Sequence, residues 1–179
     1  MKKNILITNF IAVLVACLAL AGFVSEANAA TADWSHVSVA CVPDDTTTRP
    51  SRYDAISTGL IKFQGTATGD LWFWCNVLSP LDNFGENPTW NAMFVTFKDS
   101  NPDGFVEVKL IRKRKDTGAT ATNVTFTSTD GIGVREVFAT PIPAFDFATY
   151  NYFMRIQLHR TATTGDLEFH IVSLKETLF

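Results

Sequence analysis

Apolar and polar residues alternate along most of the chain, and this period of two constrains the fold more than any other feature of the sequence. The alternation is clearest in residues 71–77, 106–110, 152–159 and 167–171. Successive side chains of a β-strand point to opposite faces of a sheet, so the pattern predicts strands with one buried face. After the first 29 residues, no segment has the 3.6-residue repeat that is typical of an amphipathic helix.

The predicted strands are separated by turn-forming residues. Gly, Asp, Asn, Ser, Thr and Pro are concentrated in residues 65–70, 79–88, 116–118, 130–133 and 161–166, and these residue types suit the backbone conformations of turns. Short strands at such intervals, with no helices between them, predict an all-β fold, either an antiparallel sandwich or a barrel. A jelly-roll-like sandwich of two sheets and about eight to nine strands fits best. We expect one domain over residues 30–179.

The N-terminal segment has the three parts of a secretory signal peptide. Two lysines precede an apolar run over residues 5–24, and an Ala-Asn-Ala motif follows, which predicts cleavage after Ala29. The alternative start is Cys17, because residues 14–17 resemble a lipobox and would direct lipidation of this cysteine. No later run approaches the ~20 apolar residues of a membrane-spanning helix. We therefore expect a secreted, periplasmic or cell-surface protein without a membrane span.

Cys41 and Cys75 are the two cysteines that remain if the signal peptide is removed. An even number of cysteines in an exported chain indicates a disulfide, which here would close a loop of about 35 residues. Two free buried thiols are the alternative. The disulfide is the expectation that we carry forward, because it agrees with the predicted compartment.

The charge balance argues against nucleic acid as a partner. The chain has 15 Lys and Arg residues against 18 Asp and Glu residues, a formal net charge of −3. Its basic run covers residues 109–115 alone, which is less than the basic face or stripe of a nucleic-acid-binding protein. We therefore expect no nucleic-acid partner.

Two tryptophans, Trp72 and Trp74, lie at alternate positions of a predicted strand. If Cys75 faces the core together with Leu71 and Phe73, both indoles project from the opposite face of the sheet. Two exposed indoles side by side would form a flat apolar platform for a ligand such as a sugar ring, or for another subunit. The alternative is that another segment covers them, because large aromatic side chains are mostly buried.

His159, Glu168 and His170 form the second candidate site. Strands over residues 151–160 and 166–174 are predicted to pair as a hairpin, which would place the three side chains on one outward face. Two imidazoles and a carboxylate can bind zinc, so this register allows a metal site. A shift of one residue would separate the three side chains, and we expect them to be ordinary solvated residues of an outer face, with the metal site as the alternative.

The segment 98–104, KDSNPDG, allows two interpretations. Asp99, Asn101 and Asp103 have the spacing of the first oxygen ligands of a calcium-binding loop, but Leu110 occupies the position of the closing glutamate. The same residue types favour a type I turn that joins two strands as a hairpin, with its glycine in the left-handed conformation. We expect the hairpin turn. Calcium (Ca²⁺) at these three residues is the alternative, and no other cofactor is predicted.

No catalytic motif is present in the sequence. It contains neither the Gly-x-Ser-x-Gly of a serine hydrolase, nor the His-Glu-x-x-His of a zinc protease, nor a glycine-rich phosphate loop. Carboxylates are available for glycoside hydrolysis, but no spacing singles out a pair. We therefore predict no catalytic residues.

Two blocks of the sequence carry a resemblance to known proteins. Residues 94–113, FVTFKDSNPDGFVEVKLIRK, have a strand, an Asp/Asn/Pro/Gly turn and a strand, and residues 150–174, YNYFMRIQLHRTATTGDLEFHIVSL, have the pattern of a late hairpin. With Cys41 and Cys75 upstream, the chain resembles a diffuse group of uncharacterised exported bacterial β-sandwich proteins. The resemblance implies an exported sandwich domain and brings no known activity or site residue with it.

The sequence supports three functional hypotheses, in decreasing order of preference. The first is a non-catalytic exported binding or cell-surface module, which binds carbohydrate through Trp72 and Trp74. The second is a structural subunit of an extracellular fibre, filament or surface layer, in which residues 30–40 add as a strand to the sheet edge of a neighbouring copy. The third is an enzyme of a type that the sequence does not define.

Overall fold

Strands dominate the structure, as the alternation predicts. The computed structural model describes residues 33–44, 49–78 and 87–177. These residues include two 3-10 helical turns, Ser38–Ala40 and Pro50–Arg52. The strands that they form are β1 (Trp34–Val37), β2 (Val42–Pro43), β3 (Tyr53–Ile56), β4 (Leu60–Phe63), β5 (Gly69–Val77), β6 (Ala92–Asp99), β7 (Gly104–Arg114), β8 (Thr120–Thr127), β9 (Val134–Ala139), β10 (Tyr150–Arg160) and β11 (Leu167–Lys175).

The strands are arranged in two antiparallel sheets. The six-stranded sheet has the order β3-β4-β11-β6-β9, with β1 also paired to β11, and the five-stranded sheet has the order β2-β5-β10-β7-β8. Eight strands pair from the ends of the chain inward: β4 with β11, β5 with β10, β6 with β9, and β7 with β8. This is the jelly-roll arrangement, so the predicted fold class is confirmed. The short strands β1, β2 and β3 are additional to the jelly roll.

The core lies between the inward faces of the two sheets. In β5, Leu71, Phe73, Cys75 and Val77 are buried, and the side chains between them face outward. Strands β7 and β10 alternate in the same way. In β11 a β-bulge between Phe169 and Ile171 interrupts the alternation. The expectation that the inward face of this strand continues to Ile171 is therefore wrong.

Two predicted hairpins are instead crossings between the sheets. Residues 98–104 connect β6 of the six-stranded sheet to β7 of the five-stranded sheet, and residues 161–166 connect β10 to β11 in the opposite direction. Both hairpin predictions are therefore wrong. Alternation shows which side chains are buried, but the inner faces of both sheets point to one core. The pattern consequently does not distinguish a strand in the same sheet from a strand across the core.

The segment before Cys41 is already part of the molecule's own sheet. Strand β1 pairs with β11 over four residue pairs, from Trp34 with Leu174 to Val37 with Ile171. The described part of residues 30–40 is therefore not a free strand, and the reason for expecting assembly with a neighbouring copy through it does not hold. That assembly stays a prediction without its original argument.

The predicted signal peptide, its cleavage after Ala29 and the alternative lipidation at Cys17 lie outside the described residues. All described residues belong to one compact unit. Within them there is no helix long and apolar enough to cross a membrane.

The predicted disulfide between Cys41 and Cys75 is present, with a Cα–Cα distance of 4.6 Å. Cys75 lies on the buried face of β5, and Cys41 immediately precedes β2, where Val42 pairs with Trp74. The two cysteines continue this register and so occupy opposite positions, at a distance that disulfides normally span. The bond therefore fixes the two-residue strand β2 beside the tryptophans of β5.

Candidate functional site

Trp72 and Trp74 lie on the outer face of the five-stranded sheet, as the alternation predicts. Both side chains are half-buried, so they are neither core residues nor fully exposed. The outward residues of β10 and β7 continue the same surface across the sheet. We call this surface the aromatic face, and it consists of Asp70, Trp72, Trp74, Phe105, Glu107, Lys109, Phe153, Arg155, Gln157 and His159.

Each of the two tryptophan rings of β5 contacts a side chain of β10. The ring of Trp74 lies 5.3 Å from the ring of Phe153, with an angle of 57° between the planes. The guanidinium carbon of Arg155 lies 5.0 Å from the centre of the Trp72 ring. The predicted pair of neighbouring indoles is therefore extended into a mixed surface of aromatic rings and one guanidinium group.

At one end of the aromatic face, a carboxylate orients two hydrogen-bonding side chains. One oxygen of Asp70 accepts a hydrogen bond from the amide of Gln157 at 2.7 Å and contacts Nδ1 of His159 at 2.8 Å. The imidazole of His159 also stacks on the ring of Phe105, with 5.0 Å between the ring centres. Since a carboxylate only accepts, Nδ1 of His159 is the donor in this contact.

Asp70 makes the stability of this end depend on pH. Burial would raise the pKa of Asp70, but hydrogen bonds from Gln157 and His159 outweigh it and lower the pKa below its usual value. A lowered carboxyl pKa contributes stability above the pKa of the unfolded chain, and this contribution is lost as the pH falls through the folded-state value.

We therefore expect Asp70→Asn to lower the melting temperature near neutral pH and to reduce the fall of the melting temperature below about pH 4. Melting curves from pH 7 down to pH 2 measure both effects, and parallel curves for variant and wild type would contradict the prediction.

The charges in the middle of the aromatic face are not all paired. Nζ of Lys109 lies 2.6 Å from a carboxylate oxygen of Glu107, and both side chains are half-buried. Arg155 has no ion-pair partner within the described residues, and its buried Nε has no hydrogen-bond acceptor. The amide nitrogen of Asn123, at the β-bulge of β8 between the partners of Leu110 and Ile111, and Nε of Arg135 in β9 are also buried without a partner. Buried polar groups are normally hydrogen-bonded, so the three groups call for an explanation.

Asp99 and Asn101, two of the predicted calcium ligands, connect the turn between β6 and β7 to other loops through hydrogen bonds. We call this turn the corner between the sheets. The buried carboxylate of Asp99 accepts hydrogen bonds from the Ser128 hydroxyl and from the backbone N–H of Asn101 at 3.3 Å. The Asn101 side chain donates to the carbonyl of Ala162 at 3.0 Å and accepts from the N–H of Asp103 at 2.9 Å. The side-chain oxygens of Asp99 and Asn101 therefore accept hydrogen bonds that stabilise the corner between the sheets.

The turn at this corner is present, although its glycine has another role than predicted. The N–H of Gly104 donates to the carbonyl of Asn101 at 3.1 Å, which closes the four-residue turn. Gly104 does not have the expected positive φ. Glycine is needed because a Cβ atom there would lie 2.8 Å from the carbonyl oxygen of His159.

We expect Asp99→Ala to lower the free energy of unfolding by about 2 kcal/mol, because it leaves the Ser128 hydroxyl and the Asn101 N–H buried without this acceptor. Urea denaturation measures the change. Asp103→Ala in the same turn is the matched control. Its side chain is exposed, so a change within about 0.5 kcal/mol is expected. Equal losses in both variants would contradict the role assigned to the Asp99 oxygens.

The residues predicted to form a zinc site are not brought together. His159 lies on β10 in the five-stranded sheet, whereas Glu168 and His170 lie on β11 in the six-stranded sheet. Nε2 of His170 lies 3.2 Å from a carboxylate oxygen of Glu168. Within residues 33–44, 49–78 and 87–177, no group of three or more His, Cys, Asp or Glu could hold a metal ion.

Sequence reasoning missed most of the aromatic face. Phe153, Arg155 and Gln157 were identifiable as outward residues of one strand, but nothing connected them to Trp72 and Trp74. The connection depends on the pairing of β5 with β10, whose residues are separated by about 80 positions in the chain. The alternation predicted correctly which side chains of each strand face outward. Only the strand pairing shows that these side chains form one surface.

The fold and this surface define a jelly-roll β-sandwich with an outer sheet face of aromatic and hydrogen-bonding side chains. No family model and no curated protein match the chain. Among solved structures, it is similar to the CBM36-1 domain of a multidomain xylanase from the hindgut metagenome of Trinervitermes trinervoides, at 12% identity and a TM-score of 0.45, over 83% of this chain and 100% of that one. It is also similar to a family 11 carbohydrate-binding module from Clostridium thermocellum in complex with a β-1,3-1,4-mixed-linked tetrasaccharide, at 11% identity and a TM-score of 0.37, over 86% of this chain and 93% of that one. At these identities the likeness concerns the β-sandwich alone.

Proposed function

We propose that this protein is an exported, non-catalytic carbohydrate-binding module that holds a glycan against the aromatic face. The observation that carries the proposal is the outward position of Trp72 and Trp74 in the five-stranded sheet, half-buried beside Phe153. Aromatic surface of this kind outside a core is typical of a binding surface. The disulfide agrees with an oxidising compartment outside the cytoplasm.

The chemistry of the aromatic face suits a sugar ring. A pyranose has apolar faces made of C–H groups and a rim of hydroxyls, so it needs both aromatic surface and hydrogen-bonding groups. Trp72 and Trp74 provide large rigid apolar surfaces. Gln157 and His159 on the neighbouring strand β10, and Glu107 on β7 beyond it, provide donors and acceptors on the same face. A few fixed polar groups around an apolar surface are what orients a small ligand.

We expect Trp72→Ala and Trp74→Ala each to weaken glycan binding by about 30-fold or more, because truncated tryptophans are among the most costly losses at binding surfaces. The probe is a panel of insoluble polysaccharides in pull-down assays, with calorimetry on soluble fragments of any that bind. Phe94→Ala is the matched control. Phe94 is a half-buried aromatic residue on the outer face of the six-stranded sheet, where it contacts Phe138.

Two outcomes would overturn the proposal. One is that the wild type retains none of the polysaccharides. The other is that the Trp72→Ala and Trp74→Ala variants bind as the wild type and the Phe94→Ala control do. Circular dichroism of every variant shows whether a loss of binding reflects a loss of fold.

A further inference from the structure

The aromatic face contains one cation that the described residues do not neutralise. Asp70 interacts with Gln157 and His159 at one end of the face. In the middle, Glu107 and Lys109 form an ion pair with each other. The guanidinium of Arg155 has no carboxylate partner within the described part of the chain, and its Nε is buried without an acceptor. An unpaired charge that has lost part of its hydration is costly, so a bound anion would stabilise this group.

The position of Arg155 in the sheet gives a second reason to expect a bound anion. Arg155 is directly opposite Lys109 of β7 on one side and Trp74 of β5 on the other. Directly opposite residues of antiparallel strands have Cα atoms about 4.5–5.5 Å apart, and like charges at such positions destabilise a sheet. Glu107 offsets the charge of Lys109, which leaves the charge of Arg155 uncompensated. An anion bound at Arg155 would supply the missing compensation.

The guanidinium is also held in place. Arg155 lies over the ring of Trp72, with 5.0 Å from its central carbon to the ring centre. A guanidinium over an indole has restricted freedom, and its N–H groups lie in one plane because the guanidinium itself is planar. A planar fork of donors matches a carboxylate, which accepts two parallel hydrogen bonds from it.

We propose that the ligand of the aromatic face is an acidic glycan, and that Arg155 binds the carboxylate of a uronic-acid residue while Trp72 and Trp74 contact the sugar rings. This inference rests on the proposed function, because it names the substrate class of the same site. A neutral glycan would also contact the tryptophans but would leave the charge of Arg155 uncompensated. Hydrogen bonds to an ionised acceptor are roughly twice as strong as those to a neutral one, which favours the acid.

The test compares each acidic polysaccharide with its own uncharged derivative. The probes are polygalacturonate, alginate and glucuronoxylan, each with a carboxyl-reduced counterpart that keeps the chain and removes the charge. We expect the wild type to bind at least one acidic form about 10-fold or more tightly than its reduced form, with an affinity for the acid that falls as NaCl is raised. Dextran sulfate is a further probe, because its sulfate groups are anionic but tetrahedral.

Two variants of Arg155 and one control variant test whether this residue causes the preference for acidic over reduced forms. Arg155→Gln should bring the affinities for acidic and reduced forms within about 2-fold of each other, whereas wild-type discrimination should persist in Lys175→Gln. Lys175 is the matched control because its ammonium group also lies over an aromatic ring, 4.8 Å from the centre of Phe94, but on the outer face of the six-stranded sheet. Arg155→Lys keeps the charge and loses the planar fork, so it should retain the salt dependence and only part of the affinity difference between acidic and reduced forms.

The outcomes separate this inference from the proposed function. Equal binding of acidic and reduced forms by the wild type, with loss in Trp72→Ala, would overturn the acidic-glycan assignment and leave the carbohydrate-binding function standing. Binding of dextran sulfate, with no binding of polygalacturonate, alginate or glucuronoxylan, would overturn the assignment of a carboxylate as the group that is bound. Discrimination that survives in Arg155→Gln would overturn the role of this residue. No binding of these probes, with binding of another polysaccharide of the panel, would overturn the acidic-glycan inference alone, and no binding of any polysaccharide in either experiment would overturn both proposals.

Discussion

Replacing Cys41 and Cys75 together by alanine is expected to lower the free energy of unfolding by about 4 kcal/mol, according to the chain-entropy model of a disulfide. The bond joins residues 34 positions apart, so it removes many conformations from the unfolded chain. Both positions are nearly fully buried, and alanine is small enough to occupy them without a clash. Guanidinium denaturation of wild type and double variant measures the change.

Reduction of the wild type provides the control. Wild-type protein in dithiothreitol should unfold at nearly the denaturant concentration of the double variant, and the variant itself should not respond to the reductant. A loss below about 1 kcal/mol would contradict the prediction. We also expect weaker glycan binding in the double variant, because β2 pairs with β5 at only two positions and the disulfide fixes it beside Trp74.

Gly165→Ala is expected to lower the free energy of unfolding by about 3 kcal/mol or more, from the combination of backbone strain and steric overlap. Gly165 has a φ of +78°, which favours glycine, and a Cβ atom there would lie 2.1 Å from the carbonyl oxygen of Ser100. The overlap is with backbone, so no side-chain rotation relieves it. The loop that contains Gly165 would have to move away from the corner at Ser100, whose N–H donates to Asp166.

Gly133→Ala separates the two contributions. Gly133 has a φ of +79°, but a Cβ atom there meets nothing within 4 Å. This variant therefore carries the backbone strain without the overlap and should lose only about 1 kcal/mol. Urea denaturation of both variants measures the difference, and equal losses would show that the contact between Gly165 and Ser100 does not matter for stability.

The fold class was predictable because the features that define it are local. Alternation in β5, β7 and β10 follows directly from burial of one strand face, and it is present in the sequence at those strands. The hairpins at residues 98–104 and 161–166 were predicted wrongly because sheet membership is not local. A turn rich in Asp, Asn, Pro and Gly suits a change of sheet as well as a hairpin, since both need a reversal of chain direction.

The candidate site was predictable only in part, for a related reason. Trp72 and Trp74 are two residues apart, so their common face follows from the strand period alone. Arg155 and Lys109 become neighbours only through the pairing of β10 with β7. The cluster of His159, Glu168 and His170 failed because it depended on a pairing that the jelly roll does not make.

The place of β11 in the six-stranded sheet has a consequence for when the protein folds. β11 is the last strand in chain order among the described residues, yet it lies centrally, between β6 on one side and β1 and β4 on the other. The sheet therefore lacks its middle until residues 167–175 have emerged from the ribosome. Pairing of such distant segments is intrinsically slow, because the loop between them must be closed first. The six-stranded sheet of such a chain can therefore be completed only after its last described strand is available, while the five-stranded sheet does not depend on that strand.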